Sequence, residues 1–238
     1  MEVSLHALGD EALLVQFEKK IDPVINQQVV LLGEYLEHSF SNEVKYVVPA
    51  YNSLTVAFDS TKISAGALEQ VIIEGLHSAE RFEFAERLLY IPVCYDKSFA
   101  TDLDEVCRQT GLTSTEVVRL HSSNLYTTYM IGFLSGFPYL GQLPKELTTE
   151  RKSTPALRVP EGAVAIAGSQ TGIYPQESPG GWQVIGRTPL PLVYAFDEHS
   201  FLFHQGDRIQ FYSISKSKFD SIRKSLAKGD FDWESIYG

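Results

Sequence analysis

The sequence predicts a two-domain α+β protein, and two features of its hydrophobic pattern carry that prediction. Over roughly the first 90 residues, strand-like and helix-like segments follow in the order β-α-β-β-α-β, which is the order of the ferredoxin-like split βαβ arrangement. From Leu125 onward, short β-rich runs are separated by Gly/Pro turns, a pattern typical of a closed barrel or a sandwich. We therefore expect a ferredoxin-like domain over residues 1–90, followed over residues 91–238 by a β-rich domain with two leading short helices.

The elements of the first domain have recognisable ends. A strand-like run covers Ala12–Phe17, and the helix after it has Asp22 as a capping residue and Pro23 in its first turn. Two β-rich runs follow, EVKYVVPAYN and SLTVAFD, and Ser64 then begins a second amphipathic helix. The run RLLYIPVCY returns to strand character and would complete the domain.

The second domain begins with two short helices, TDLDEVCRQTG and TSTEVVRLHSS. Thr113 and Glu116 have capping-box spacing, so the start of the second helix is well specified. The strand-like runs that follow are LYTTYMIGF, GAVAIAG, WQVIGRT, PLVYAF and DRIQFYSI. The C-terminal segment predicts a helix that ends near Gly229.

Composition and charge exclude several classes of protein. A formal charge of −10 with no Lys/Arg-rich run disfavours nucleic-acid binding. No apolar run approaches the ~20 residues that a membrane-spanning helix needs. The N-terminal stretch lacks the basic region and cleavage site of a signal peptide. The chain has two cysteines, Cys94 and Cys107, and a secreted protein of this size commonly has more. We expect a cytoplasmic protein with two reduced cysteines.

Common catalytic and nucleotide-binding motifs are absent from the sequence. It has no G-x-x-x-x-G-K-[ST] phosphate loop, no G-x-G-x-x-G fingerprint, no H-E-x-x-H and no Cys/His metal spacing. GFLSG has Ser135 in the wrong position for a nucleophile elbow, and GSQTG is centred on Gln170. No metal site is predicted, and a site completed by another polypeptide becomes the working hypothesis.

The segment GFLSGFPYLGQLP, residues 132–144, combines glycines and prolines with Phe133, Phe137 and Tyr139. Because glycine weakens regular elements and proline breaks them, we predict a shaped loop. This loop is either a plug at the end of a barrel or one wall of a binding cleft. The turn SPGGW, residues 178–182, offers a second wall, and its alternative role is a barrel-end turn with Trp182 in the core.

Three polar residues could serve such a cleft. His121 lies near the end of a predicted helix and before the glycine-aromatic loop, so we treat it as a candidate for proton chemistry, with a helix-end bond to a backbone carbonyl as the alternative. Arg158 and Arg187 lie among apolar residues and glycines, so either can bind an anionic group. The alternative for both is a salt bridge to Glu177 or Glu161.

Three stretches together, HSSNLYTTYMIGFLSGFPYLGQLP, RVPEGAVAIAGSQTGIYPQESPGGWQVIGRTPL and GDRIQF, resemble the KipI/PxpB family over nearly the whole chain. That family includes the B subunit of prokaryotic ATP-dependent 5-oxoprolinase, proteins labelled allophanate hydrolase subunit 1, and an inhibitor of a sporulation histidine kinase. The resemblance implies a ferredoxin-like N-terminal domain and a cyclophilin-like C-terminal β-barrel. Two residues depart from the family pattern: Ser135, where proline is common, and Ala156, where an arginine follows the Thr-Pro pair.

The resemblance also implies partners and chemistry. Its partners would be a KipA/PxpC-type subunit and a LamB/YcsF (PxpA)-type protein, and the complex would use ATP to open 5-oxoproline to glutamate. Two alternatives stay open: inhibition of a histidine kinase by protein–protein binding, and membership in a biotin-dependent carboxyltransferase or allophanate hydrolase-like complex. Besides His121, the predicted substrate-binding residues are Tyr126, Phe133, Phe137, Tyr139, Arg158, Gln170, Tyr174, Gly180, Gly181, Trp182 and Arg187.

Overall fold

A computed structural model describes residues 3–78, 87–193 and 201–238, and the chain divides into two compact units, Met1–Ala85 and Glu86–Gly238. The α-helices of the described part are α1 (Pro23–Ser39), α2 (Ala65–Ser78), α3 (Leu103–Thr110), α4 (Ser114–Ser123) and α5 (Lys216–Lys228). Its strands are β1 (Ser4–Ala7), β2 (Ala12–Gln16), β3 (Val44–Pro49), β4 (Ser53–Phe58), β5 (Leu88–Val93), β6 (Leu125–Ile131), β7 (Pro138–Gly141), β8 (Ala156–Val159), β9 (Ala163–Ala167), β10 (Gln170–Ile173), β11 (Ser178–Gly180), β12 (Gln183–Arg187) and β13 (Arg208–Ser213).

The first unit is a four-stranded sheet with two helices. Its strand order is β1-β2-β4-β3 and all neighbouring strands are antiparallel. Helix α1 starts as predicted, because the Asp22 carboxylate accepts a 2.9 Å hydrogen bond from the backbone N–H of Val24 and Pro23 occupies the first turn. Buried side chains of α1, α2, β2 and β4 share one core cluster.

The predicted ferredoxin-like βαββαβ order is not obtained. The run assigned to its last strand is β5, which pairs in parallel with β13 in the sheet of the second unit. The sheet of the first unit instead gains β1, which forms a hairpin with β2. The near-continuous apolar run of β5 suits a strand buried on both faces, and periodicity alone does not say which partner buries it. The prediction of a mixed helix-and-strand fold is correct at that coarser level.

The second unit contains a strongly curled seven-stranded sheet with the order β12-β9-β10-β7-β6-β13-β5. Its two edge strands meet where Cys94 follows β5 and Arg187 ends β12. The backbone N–H of Cys94 donates to the Arg187 carbonyl at 2.8 Å, and the N–H of Arg187 donates to the Cys94 carbonyl at 3.0 Å. These bonds join the two edges of the strongly curled sheet at one point, which reduces its exposed edges.

Strand β9 separates two cores within this unit. Val164 and Ile166 point into the main core, whereas Ala163, Ala165 and Ala167 join a smaller cluster on the opposite face. The alternation in GAVAIAG thus follows the period of a strand buried on both sides. The small alanine side chains leave space for large aromatic rings on their face.

Two segments predicted as a loop and a turn contain strands. Pro138–Gly141 is β7, which pairs with β6 and β10. Pro138 is the first residue of that strand, a position where its missing N–H is tolerated. Ser178–Gly180 is β11, which forms a two-stranded ribbon with β8, and the pairing is irregular around Pro179. A short ribbon accepts a proline that a central strand would not.

Other local predictions are confirmed. The Thr113 and Glu116 capping box is present at the start of α4, and α5 ends at Gly229, which has the left-handed conformation of a C-cap. Both cysteines are free thiols.

The predicted strand PLVYAF runs from residue 191 into residues outside the described part. Among the helices that the structure describes, none is both long and apolar enough to span a membrane.

Candidate functional site

A cleft of about 280 Å³ opens on the face of the second unit that carries the β9 alanines. Segment 132–144 and the SPGGW segment both contribute lining residues. The lining residues are Phe133, Phe137, Tyr139, Arg151, Pro155, Tyr174, Pro179, Gly180, Gly181 and Trp182. Aromatic rings therefore form most of a concave surface with few polar groups, the usual makeup of a small-molecule site.

Phe137 is at the centre of the aromatic cluster. Its ring meets Tyr174 at 5.2 Å and Trp182 at 5.6 Å, both edge to face, and Tyr139 at 4.8 Å. Tyr139 in turn meets Trp182 at 5.8 Å. Such edge-to-face pairs stabilise each other beyond their buried area and hold each ring in one orientation. The floor of the cleft is therefore rigid and preformed.

Two backbone features shape the cleft. A Cβ atom at Gly180 would overlap the Tyr174 hydroxyl, so glycine lets β11 lie directly against that ring. Phe133 has a φ of 67°, a conformation that costs a bulky residue of the order of 1–3 kcal/mol, yet its side chain is 65% exposed. Its strained backbone places an aromatic ring at the mouth of the cleft, edge-on to Phe137.

Among the described lining residues, the hydroxyl and charged side-chain groups are two phenols and one guanidinium. Burial raises the pKa of Tyr139 and of Tyr174, and the positive charge of Arg151 opposes both shifts. Both phenols are therefore neutral at neutral pH and can donate a hydrogen bond. The guanidinium carbon of Arg151 lies 5.9 Å from the centre of the Trp182 ring, within the range of a cation–π contact.

His121, the predicted proton-transfer residue, is fully buried in the main core and does not line the cleft. Its Nδ1 lies 2.7 Å from the Tyr95 hydroxyl and its Nε2 lies 2.9 Å from Thr171 Oγ1. The Thr171 hydroxyl donates to the Ala165 carbonyl at 3.0 Å, so it accepts from Nε2–H, and Nδ1 accepts from Tyr95. Burial lowers the pKa of His121 to about 3, and the imidazole is neutral with both nitrogens occupied.

Four other predicted residues also lie outside the cleft lining. Tyr126 is buried beside His121 and donates to its carbonyl at 3.0 Å. Gln170 begins β10, opposite Ala167. Arg158 extends into solvent and pairs with Glu177 at 3.4 Å, the alternative that the sequence left open.

Arg187, the fourth of these residues, makes structural hydrogen bonds through both its backbone and its side chain. Its backbone joins the edges of the seven-stranded sheet, and its Nε donates to the Glu161 carbonyl at 2.7 Å. Burial lowers the pKa of its guanidinium. Its predicted role in anion binding stays a prediction.

Sequence reasoning missed Arg151 and Pro155 among the lining residues, and within the SPGGW turn it did not single out Pro179. Arg151 reaches the cleft because the N–H of Lys152 donates to the Gly181 carbonyl at 2.7 Å, a contact between distant parts of the chain. No local sequence pattern predicts such a long-range contact. The residues that the structure describes contain no group of three His, Cys, Asp or Glu side chains that could hold a metal ion.

The second unit thus combines a curled, mostly antiparallel sheet with a cleft lined mainly by aromatic side chains. The chain belongs to the family described as "Carboxyltransferase domain, subdomain C and D", whose family model matches residues 3–203. The motifs that suggested the KipI/PxpB family are therefore borne out by an independent comparison.

Among curated relatives, the chain is 35% identical to the 5-oxoprolinase B subunit of Bacillus subtilis (strain 168) over 92% of this chain and 96% of that protein. It is 40% identical to the 5-oxoprolinase B subunit of Haemophilus influenzae, over 79% of this chain and 87% of that protein. It is 24% identical to "Urea amidolyase" of Lachancea kluyveri, of which it covers 14%.

Among solved structures, the chain is similar to the protein titled TTHA0988. The identity is 34% and the TM-score is 0.76, with 86% of this chain covered. The chain spans only 40% of that protein's length.

Proposed function

We propose that this chain is the B subunit of a 5-oxoprolinase, and that its aromatic cleft binds the substrate. The observation that carries the proposal is its similarity to proteins named as B subunits of 5-oxoprolinase, at 35–40% identity and over most of both chains. The cleft supports it, because a compact lactam ring can pack against rigid aromatic faces while phenol and guanidinium groups bind its oxygens.

The chemistry of the cleft is that of binding rather than of complete catalysis. Opening a lactam requires an activated nucleophile and a proton donor for the leaving nitrogen. His121 cannot serve a ligand in the cleft, since it is buried in the core with both nitrogens hydrogen-bonded. The described lining offers Arg151, Tyr139 and Tyr174 but no carboxylate or imidazole that could act as a base. We infer that a companion protein supplies the missing groups.

ATP belongs to the reaction of the assembled complex, since hydrolysis of the lactam is unfavourable unless coupled. A triphosphate needs a glycine-rich loop at a helix N-terminus or several cations, whereas the described cleft has a single guanidinium. We therefore place ATP on a companion protein of the KipA/PxpC or LamB/YcsF type. We also propose that the second unit is a cyclophilin-like β-barrel.

A second candidate has support of its own. The matching family is a carboxyltransferase domain, and the chain resembles a segment of a urea amidolyase. In this alternative the cleft would hold the carboxyl acceptor of a biotin-dependent transfer, and a partner domain would again complete the site. The histidine-kinase alternative has no comparable observation in its favour.

Reconstitution tests the proposal. The purified chain and its two companion proteins are assayed singly and together for ATP-dependent release of glutamate from 5-oxoproline. We expect no turnover from this chain alone and full turnover only from the three-component mixture. Full turnover by the isolated chain, or by the companions without it, would show that the assignment is incorrect. Biotin-dependent carboxyl transfer in place of hydrolysis would favour the second candidate.

A further inference from the structure

Arg151 brings a positive charge to the aromatic cleft. Its side chain is exposed and lines the cleft, with its guanidinium carbon 5.9 Å from the centre of the Trp182 ring. Within residues 3–78, 87–193 and 201–238, it forms no ion pair, although its neighbour Lys152 does. A guanidinium held against an aromatic face keeps its N–H donors free for a planar anion.

The main chain on both sides of Arg151 is fixed by hydrogen bonds to other parts of the unit. The N–H of Glu150 donates to the Gln109 side chain at 3.0 Å, and its carbonyl accepts from the Gln183 side chain at 3.0 Å. On the other side, the N–H of Lys152 donates to the Gly181 carbonyl at 2.7 Å. The Cα atom of Arg151 is therefore held in place while its side chain stays free to bind.

An ion pair strengthens this arrangement. The Lys152 Nζ lies 2.7 Å from Asp102 Oδ2, and both side chains are less than one-fifth exposed. Asp102 precedes α3 and also accepts the N–H of Val184 from β12 at 2.7 Å. The pair thus ties the Arg151 segment to the wall of the cleft, and it neutralises the carboxylate that could otherwise attract the guanidinium.

We propose that Arg151 binds the carboxylate of a small ring-containing monocarboxylate whose ring packs against the aromatic floor, and that the Asp102–Lys152 pair positions it. The identification of that acid as 5-oxoproline rests on the proposed function. A single guanidinium fits one carboxylate, because its planar fork matches two oxygens. Arg151 is then the residue that selects acids over their neutral amides.

Calorimetric titration of the chain tests this assignment. The probes are furan-2-carboxylate and 5-oxoproline, each compared with its carboxamide. We expect both acids to bind more tightly than their amides, and Arg151→Gln to weaken acid binding by about ten- to a hundredfold without affecting amide binding. Arg151→Lys should restore part of the preference. Arg119→Gln, which changes an exposed arginine on α4 outside the cleft, should have no effect.

Asp102→Asn tests the positioning step. It should reduce the preference for acid over amide severalfold while the amide affinity stays constant, whereas general loss of structure would weaken both. An unchanged preference in Arg151→Gln, or no preference in the wild-type chain, would overturn the inference. If furan-2-carboxylate shows the Arg151-dependent preference but the three-component mixture does not hydrolyse 5-oxoproline, the anion site stands and the proposed function fails. If a three-component mixture containing Arg151→Gln hydrolyses 5-oxoproline with unchanged KM, the proposed function stands and the anion site fails.

Discussion

The buried imidazole of His121 predicts that the second unit loses stability in mild acid. The side chain is fully buried, and burial lowers its pKa from 6.5 to about 3. Between those two values the unfolded chain binds a proton at His121 and the folded chain does not. The free energy of unfolding therefore falls as the pH is lowered through this range, and above about pH 6.5 the residue has no effect.

The size of the effect follows from the pKa of the unfolded chain. At pH 5 the solution is about 1.5 units below that pKa, and each unit corresponds to about 1.36 kcal/mol. His121 alone should thus lower the free energy of unfolding by about 2 kcal/mol between pH 7.5 and pH 5. The tyrosines beside it, Tyr95 and Tyr126, do not titrate there, because burial raises the pKa of both phenols.

Urea unfolding followed by tryptophan fluorescence measures this loss, because Trp182 and Trp233, the two tryptophans of the chain, lie in the second unit. The perturbation is His121→Gln, whose amide can accept from Tyr95 and donate to Thr171 without titrating. We expect the wild-type chain to lose about 2 kcal/mol more than this variant between pH 7.5 and pH 5. His204→Gln, at an exposed histidine of the same unit, should retain most of the loss. Equal pH dependence in the wild-type chain and His121→Gln would refute the reasoning.

Two further predictions concern the cleft walls. Phe133→Gly relieves an unfavourable positive φ but loses the buried third of the ring and its contact with Phe137, so the free energy of unfolding should change by less than the strain of about 1–3 kcal/mol, while binding of furan-2-carboxylate weakens. Gln142→Gly, at the same φ of 67° but outside the cleft, should change stability alone. Intact binding in Phe133→Gly would contradict the role of the ring. Gly180→Ala should displace the Tyr174 ring and lower the free energy of unfolding by about 1–3 kcal/mol. Gly181→Ala, whose added Cβ would lie 3.8 Å from its nearest neighbour, should have little effect. Equal melting temperatures for the two variants would disprove the close packing.

Several features of the fold could be predicted because their signals are local. Asp22 with Pro23, and Thr113 with Glu116, define helix starts through hydrogen bonds within a single turn. Gly229 ends α5 because glycine reaches the left-handed conformation without strain. The density of aromatic residues and glycines likewise singled out two segments that line the cleft, but it left open whether each was a cleft wall or a barrel-end plug or turn.

The sequence alone determined these helix boundaries and the mixed helix-and-strand fold. Only the tertiary structure decided that β5 pairs with β13, that His121 is enclosed in the core, and that Arg151 lies over Trp182. Each of these outcomes depends on residues far apart in the chain: a strand takes the partner that buries most apolar surface, and a buried imidazole requires hydrogen-bond partners from other elements. Helix caps act within four residues, whereas burial and charge placement act only once the whole unit has folded.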